Sequence, residues 1–128
     1  MNINGAQGLH CYGTITTSAG FSSTSDQSVK TEIMTQDLSP LFDAVDAKTY
    51  VRTDKPELGR RCGFISQDVQ SACASTGIPN TFTGDVPQDS GPTLLGLDYS
   101  RLVTVLWSKV KQLEDRLRTI ELAIETAT

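Results

Sequence analysis

The last quarter of the chain carries apolar residues at alternating spacings of three and four. These positions are Val103, Leu106, Val110, Leu113, Leu117, Ile120, Ile124 and Ala127. A stripe that repeats every 3.5 residues is typical of a helix that packs against copies of itself in a coiled coil. The pattern therefore predicts a helix of about 28 residues from Ser100, roughly 40 Å long, that joins several chains.

The charged residues beside this stripe favour parallel helices. With Val103 at heptad position a, Lys109 and Arg116 fall at g, and Glu114 and Glu121 fall at e. In parallel helices each g residue faces the e residue five places later in the neighbouring chain, which pairs opposite charges. An antiparallel arrangement sets like charges together. Each exposed pair contributes only about 0.5 kcal/mol, but both pairs favour the parallel orientation.

The apolar residues leave the number of helices open. Val at a with Leu at d, as in the first heptads, favours two strands, whereas Leu117 at a with Ile120 at d favours three or four. Trp107, at position e beside the first heptads, is predicted to pack the coiled coil against the globular body. The alternative is a helix that packs only on its own domain, although such helices normally bury a wider apolar face than this stripe.

The preceding residues predict a small α+β body. A short helix is expected from Ser39, because serine followed by proline is typical of a helix start. Residues 47–53 and 61–66 are predicted to pair as a β-hairpin. A second short helix is predicted over 66–77, and residues 94–99 are predicted to form a strand that leads into the long helix.

Two segments differ from this body in composition. Residues 76–93 are rich in glycine and proline and predict either a long loop or a protruding hairpin, and connections of that length usually carry function. Residues 1–24 are dominated by small polar residues with a β-prone stretch at 9–17. Such a segment forms a strand or two but no core of its own, so we expect it to be the end of a longer protein.

Composition argues against several classes of function. The net charge is −4 and the basic residues are scattered, which argues against a nucleic-acid partner. No apolar run is long enough to cross a bilayer, so no membrane partner is expected. The three cysteines and one histidine show no metal-ligand spacing, and an odd count is a poor disulfide framework. We expect reduced cysteines, no metal and no cofactor.

One short segment offers a candidate for catalysis, running from Ser25 through Asp26 to Lys30. A serine becomes a nucleophile when a base removes its proton, and a neutral lysine can be that base. A lysine of ordinary pKa is neutral in only about one molecule in two thousand at pH 7, but loss of water lowers such a pKa by several units. A lysine buried only on assembly would make a catalyst that assembly switches on. Taken alone, the spacing is common in polar loops.

The context of this segment resembles a known family. The serine-to-lysine segment is followed by Gly-Phe-Ile-Ser-Gln-Asp-Val at 63–69, by Leu-Asp-Tyr at 97–99 and by the heptad helix. In order and spacing these blocks resemble the intramolecular chaperone and auto-processing domain found at the C-terminus of phage tailspikes, endosialidases and neck appendages. The resemblance covers residues 22–125. Many members carry an arginine where this chain has Ser28.

The resemblance implies a self-cleaving serine peptidase that acts once, in cis. Ser25 matches the family's nucleophile and Lys30 its general base, and the bond cleaved lies between Thr24 and Ser25. Asp26 either orients Lys30 or caps a turn, and we favour the cap, because aspartate readily accepts local backbone hydrogen bonds.

The resemblance also implies a homotrimer with three parts. Residues 1–24 would be the end of an N-terminal passenger fibre, residues 25–99 the chaperone body with an arm at 76–93, and residues 100–128 the trimerising helix. The domain would align three passenger chains in the host cytoplasm during virion assembly and leave the virion tail after cleavage.

Two other functions stay open. One is a trimeric fibre tip that binds a host receptor through residues 76–93 and never cleaves. The other is a plain oligomerisation module in which the serine and the lysine are incidental.

Overall fold

The computed structural model describes residues 8–127 and divides the chain between Met34 and Thr35 into two units. In the first unit, residues 8–34 are exposed, and their described regular structure is one 3₁₀ turn at Gln27–Val29. The strand predicted near residues 9–17 does not form in the single chain. A strand needs a neighbour for its backbone N–H and C=O groups, and the described part of this unit supplies none. Residues 1–7 of the predicted passenger end lie outside the described residues.

The second unit has an α+β fold with two antiparallel hairpins and a long C-terminal helix, which confirms the predicted class. Its elements are α1 (Ser39–Ala44), β1 (Lys48–Val51), β2 (Arg60–Gly63), α2 (Ser66–Thr76), β3 (Thr83–Val86), β4 (Leu94–Leu97) and α3 (Val103–Ala127). A 3₁₀ turn at Ser100–Leu102 leads directly into α3, so the predicted start of the long helix is confirmed.

The first predicted hairpin is confirmed, with shorter strands. β1 pairs antiparallel with β2, so that Lys48 lies opposite Gly63 and Val51 lies opposite Arg60. The connection contains a 3₁₀ turn at Pro56–Leu58 and ends at Gly59, whose φ of +72° is a conformation that glycine adopts without strain.

The glycine- and proline-rich segment contributes one strand and the connection of a hairpin, and its first residues do not protrude, because Ile78 and Phe82 are buried in the core. β3 pairs antiparallel with β4, with Thr83 opposite Leu97 and Val86 opposite Leu94. The predicted strand at 94–99 therefore closes this hairpin before it leads into α3. Residues 89–94, around the hairpin's connection, are exposed.

Both short helices begin where they were predicted, and α1 differs from the prediction in its cap. α1 begins at Ser39 with Leu38 at the N-cap, and the Ser39 hydroxyl donates to Asp37 at 3.0 Å instead of capping the helix. α2 ends at Gly77, whose left-handed backbone lets its N–H donate to the carbonyl of Cys73, a common way to end a helix.

A small core joins α1, α2, the second hairpin and the first turns of α3. Its buried residues are Leu41, Val69, Ala72, Cys73, Ile78, Phe82 and Val105. Val105 is the α3 residue in this core, whereas residues 113–127 of α3 are all exposed. The helix is thus anchored to the body by its N-terminal part only.

Candidate catalytic turn and assembly helix

Local hydrogen bonds shape the candidate catalytic segment. The Asp26 carboxylate accepts from the N–H of Ser28 at 2.8 Å, and the backbone then closes a 3₁₀ turn in which the Lys30 N–H donates to the Gln27 carbonyl at 3.1 Å. The residues on either side, Asp26 and Lys30, have extended backbones. A single turn between extended flanks brings the chain on both sides of it close together.

This turn places the two predicted catalytic side chains in contact. The Lys30 Nζ donates a hydrogen bond to the Ser25 Oγ across 2.5 Å. That separation permits proton transfer between the two groups. Both side chains are exposed in the single chain. The turn therefore supplies the geometry of a serine–lysine dyad, in an environment still open to water.

Asp26 serves the turn in this structure. Hydrogen bonds from the side chain and the backbone of Ser28 hold the pKa of Asp26 below its usual range. The carboxylate is thus the N-cap of the turn, which is the role that we favoured from the sequence. Ser28, which stands where many members of the resembling family have arginine, contributes its backbone N–H to this cap.

The other two blocks of the resemblance meet in the second unit. The Tyr99 hydroxyl accepts from the Phe64 N–H at 3.0 Å, and the two rings lie 5.9 Å apart. A hydrogen bond with Tyr99 raises the pKa of Tyr50. A Cβ at Gly63 would come within 3 Å of both tyrosine hydroxyls. Glycine at this position therefore lets a tyrosine pair close over the start of the Gly-Phe-Ile block.

The predicted assembly stripe is left uncovered by the body. Its members are 48–61 % exposed, and they are Val103, Leu106, Val110, Leu113, Leu117, Ile120 and Ile124. The body instead packs on the face that carries Val105, and the Leu38 N–H donates to Ser108 on the same side at 3.1 Å. An apolar stripe of this length in water is typical of a surface that binds another chain.

Two of the charged residues beside the stripe, Lys109 and Glu114, already have partners within the same chain. Lys109 donates to Asp43 at 2.9 Å and to Gln112 at 2.8 Å, and its ammonium lies 5.3 Å from the centre of the Phe42 ring. Lys109 thus connects α3 to α1 within one chain. A heptad pattern does not reveal this contact, because Asp43 lies 66 residues away in sequence. Glu114 lies 3.7 Å from Arg118.

The second predicted charge pair has no competing partner. Over residues 8–127, neither Arg116 nor Glu121 takes part in an ion pair. The electrostatic preference for parallel helices therefore depends most on this pair.

Within a single chain, Trp107 does not pack α3 against the body, so its own chain does not make the predicted contact between this residue and a globular body. Its side chain is 68 % exposed and lies in a shallow groove with the stripe residues Val103, Leu106 and Val110. Residue Val105 faces the body instead, and two positions along a helix turn a side chain by about 200°. Trp107 therefore lies on the side that the body leaves open.

The described residues hold no group of three or more His, Cys, Asp or Glu side chains arranged for a metal ion. All three thiols are free, with Cys73 in the core and Cys11 and Cys62 exposed. Only Cys73 thus behaves as a small buried hydrophobe, and burial raises its pKa. Within residues 8–127, no helix combines the length and the apolar character needed to span a bilayer.

The chain matches no protein-family model and no curated protein sequence.

Proposed function

We propose that this chain is a C-terminal intramolecular chaperone that forms a homotrimer, guides the folding of a viral tail fibre or spike, and then releases itself by autoproteolysis. The observation that carries the proposal is the hydrogen bond between Lys30 Nζ and Ser25 Oγ. It lies at the two positions that match the family's nucleophile and base. No cofactor is needed for this chemistry.

The proposed cleavage uses groups on the turn and one water molecule. Ser25 Oγ attacks the carbonyl carbon of Thr24 while Lys30 Nζ takes the hydroxyl proton. The C–N bond between Thr24 and Ser25 breaks as that proton passes to the leaving nitrogen. Thr24 is then an ester on Ser25 Oγ, beside a free α-amine. Water hydrolyses the ester, which leaves a carboxylate at Thr24 and restores the Ser25 hydroxyl.

Assembly is proposed to control this reaction. In the single chain the Lys30 side chain is exposed to water. Withdrawal of water favours the neutral amine, which is the form that accepts a proton. A trimer that covers the turn would therefore activate Lys30 only after three chains have joined.

The exposed stripe of α3 supports the chaperone part of the proposal. Interleaved β-structure from three chains has many contacts distant in sequence, so it forms slowly and exposes strand edges meanwhile. Joining the chains at one end raises their effective concentration, to about millimolar for short tethers. Removing the joining helix afterwards traps the folded fibre kinetically, because unfolded chains could no longer realign.

Folding of the passenger and cleavage are proposed to take place in the same compartment. The passenger folds and the chain cleaves in the host cytoplasm during virion assembly. The released chaperone, residues 25–128, is then absent from the mature tail.

Mass spectrometry of the intact chain tests the cleavage. We expect the purified protein to yield a fragment that begins at Ser25, and Ser25→Ala to stay whole. Ser23→Ala is the matched control, since it removes a nearby exposed hydroxyl outside the turn, and it should cleave as the parent does. A parent chain that stays whole while trimeric would refute autoproteolysis.

The exposed connection of the second hairpin supports a second candidate, a fibre tip that binds a host receptor and never cleaves. This candidate predicts a trimer that remains whole and loses attachment when residues 87–93 are shortened. A plain oligomerisation module predicts neither cleavage nor attachment. The fragment that begins at Ser25 therefore separates the first function from the other two.

A further inference from the structure

The chain has one tryptophan, and it lies on the uncovered side of α3. An indole in this position exposes a large apolar surface to water, and tryptophans of soluble proteins are on average well buried. The side chains nearest to it in sequence do not cover it. The unit of residues 35–127 leaves Trp107 exposed, so a site that buries it has to be supplied from outside this unit.

The same chain contains an apolar cavity that its own side chains leave unfilled. The cavity has a volume of about 480 Å³ and lies between α1, α2 and the first turn of α3. Its walls include Phe42, Val45, Ala47, Phe64, Tyr99 and Leu102, and one acidic residue, Asp46, also lines it. Lys109 lies over the Phe42 ring, which helps to hold that wall in place. Val103 and Leu106 also line the cavity, so the cavity is continuous with the assembly stripe.

The heptad fixes which residue of a second copy would meet this cavity. Leu102 falls at position g, one heptad before Lys109, and Trp107 falls at position e, one heptad before Glu114. In parallel helices a g residue faces the e residue five places later in the neighbouring chain. The alignment that pairs Arg116 with Glu121 of a neighbour therefore sets Leu102 opposite that neighbour's Trp107.

We propose that Trp107 of each copy inserts into the cavity of the next copy, against Leu102. This inference rests on the proposed parallel assembly and adds a second contact to it. Each copy gives one indole and receives one, so the contacts close into a ring in a cyclic oligomer. The inserted indole links pairing of the helices to docking of the bodies, and so fixes the bodies around the coiled coil.

Fluorescence tests this directly, because Trp107 is the sole tryptophan. The assembled parent protein should show blue-shifted emission and several-fold weaker quenching by iodide than Leu113→Asp, a variant designed to be monomeric. Sedimentation on the same samples reports the oligomeric state independently.

A charge placed in the cavity sharpens the test. Ala47 lines the cavity and is exposed in the single chain, so Ala47→Glu should leave the fold intact. We expect this variant to remain assembled through α3, with red-shifted emission and quenching near that of the monomer. Ala74→Glu, at an exposed position of α2 away from the cavity, should match the parent.

The outcomes separate this inference from the proposed function. A parent protein that assembles while Trp107 stays as quenchable as in the monomer overturns the insertion and leaves the chaperone proposal in place. Blue-shifted emission that Ala47→Glu does not change also overturns it, because the indole is then buried elsewhere in the interface. A parent protein that is monomeric overturns both.

Discussion

The turn at residues 25–30 and the helix α3 differ in how many of their contacts a single chain can make. The turn needs only neighbours in sequence, and its cap, its backbone hydrogen bonds and the Ser25–Lys30 contact are all present. The helix leaves its apolar stripe about half exposed. Local polar contacts can thus bring a serine and a lysine together without a partner chain, whereas burial of a 3.5-residue stripe requires one. Under the proposed function, burial of the α3 stripe on assembly controls cleavage at the turn.

The largest effect is expected from a charge in the middle of the stripe. Leu113→Asp removes about 2 kcal/mol of burial per chain and places unpaired carboxylates together in an apolar layer. We expect sedimentation to show a monomer, and we expect cleavage to be lost although the turn is unaltered.

Leu122 provides the matched control for this variant. It is 55 % exposed, compared with 48 % for Leu113, but it lies at position f, off the stripe. Leu122→Asp should assemble and cleave as the parent does. Equal effects of the two substitutions would mean that general loss of apolar surface, rather than the heptad, explains the result.

The next largest effect is expected in the turn itself. Lys30→Ala removes the proposed base, and general bases contribute about 10²–10⁴-fold to reaction rates. The time course of the fragment beginning at Ser25 should slow by that range, while sedimentation remains that of the parent. If the variant cleaved at the parental rate, Lys30 would not be the base.

A smaller effect is expected from the contact that joins α3 to α1. The Lys109 side chain is 14 % exposed and Asp43 is 58 % exposed, so the pair contributes about 0.5–1 kcal/mol to the free energy of unfolding. Asp43→Asn should lower thermal stability and leave the helix able to assemble. Arg116→Gln should do the reverse, weakening assembly in sedimentation with little change in the stability of the body.

The smallest effect is expected from the cap of the turn. Because the folded-state pKa of Asp26 is lowered by Ser28, its stabilisation is present above the ordinary aspartate pKa and is lost as pH falls through the lowered value. The amide resonance of Ser28 should therefore shift in NMR spectra at acidic pH and stay constant near neutrality.

Substitution separates the two roles considered for Asp26. Asp26→Asn should cleave nearly as the parent does, because asparagine also caps, and Asp26→Ala should cleave more slowly. A large loss with asparagine would instead indicate that the charge orients Lys30.

The sequence predicted those features that depend on local pattern. The helix start near Ser100, the stop at Gly77 and the first hairpin follow from periodicity and turn residues, and the structure contains all of them. The second hairpin is one of the two alternatives that the sequence left open for residues 76–93. The pairing of Ser25 with Lys30 was expected from the family resemblance, because their spacing alone is common in polar loops.

Features that depend on distant residues could not be predicted in this way. The heptad identifies an apolar stripe, but it does not show which other face of α3 the body of the same chain covers, so the exposure of Trp107 within one chain could not be read from it. The Lys109–Asp43 pair and the closure of Tyr99 over Gly63 join residues that no spacing rule connects. Strands over 9–17 were expected from composition, but a strand forms only beside a partner.

Native mass spectrometry of the parent protein tests the central claim most directly, because one spectrum reports both the number of chains and their length. The proposal predicts a complex of three chains that each begin at Ser25, with Ser25→Ala giving a complex of three whole chains. Trimers of whole parent chains after prolonged incubation, or single chains cut at the same bond, would contradict the claim that assembly activates the turn.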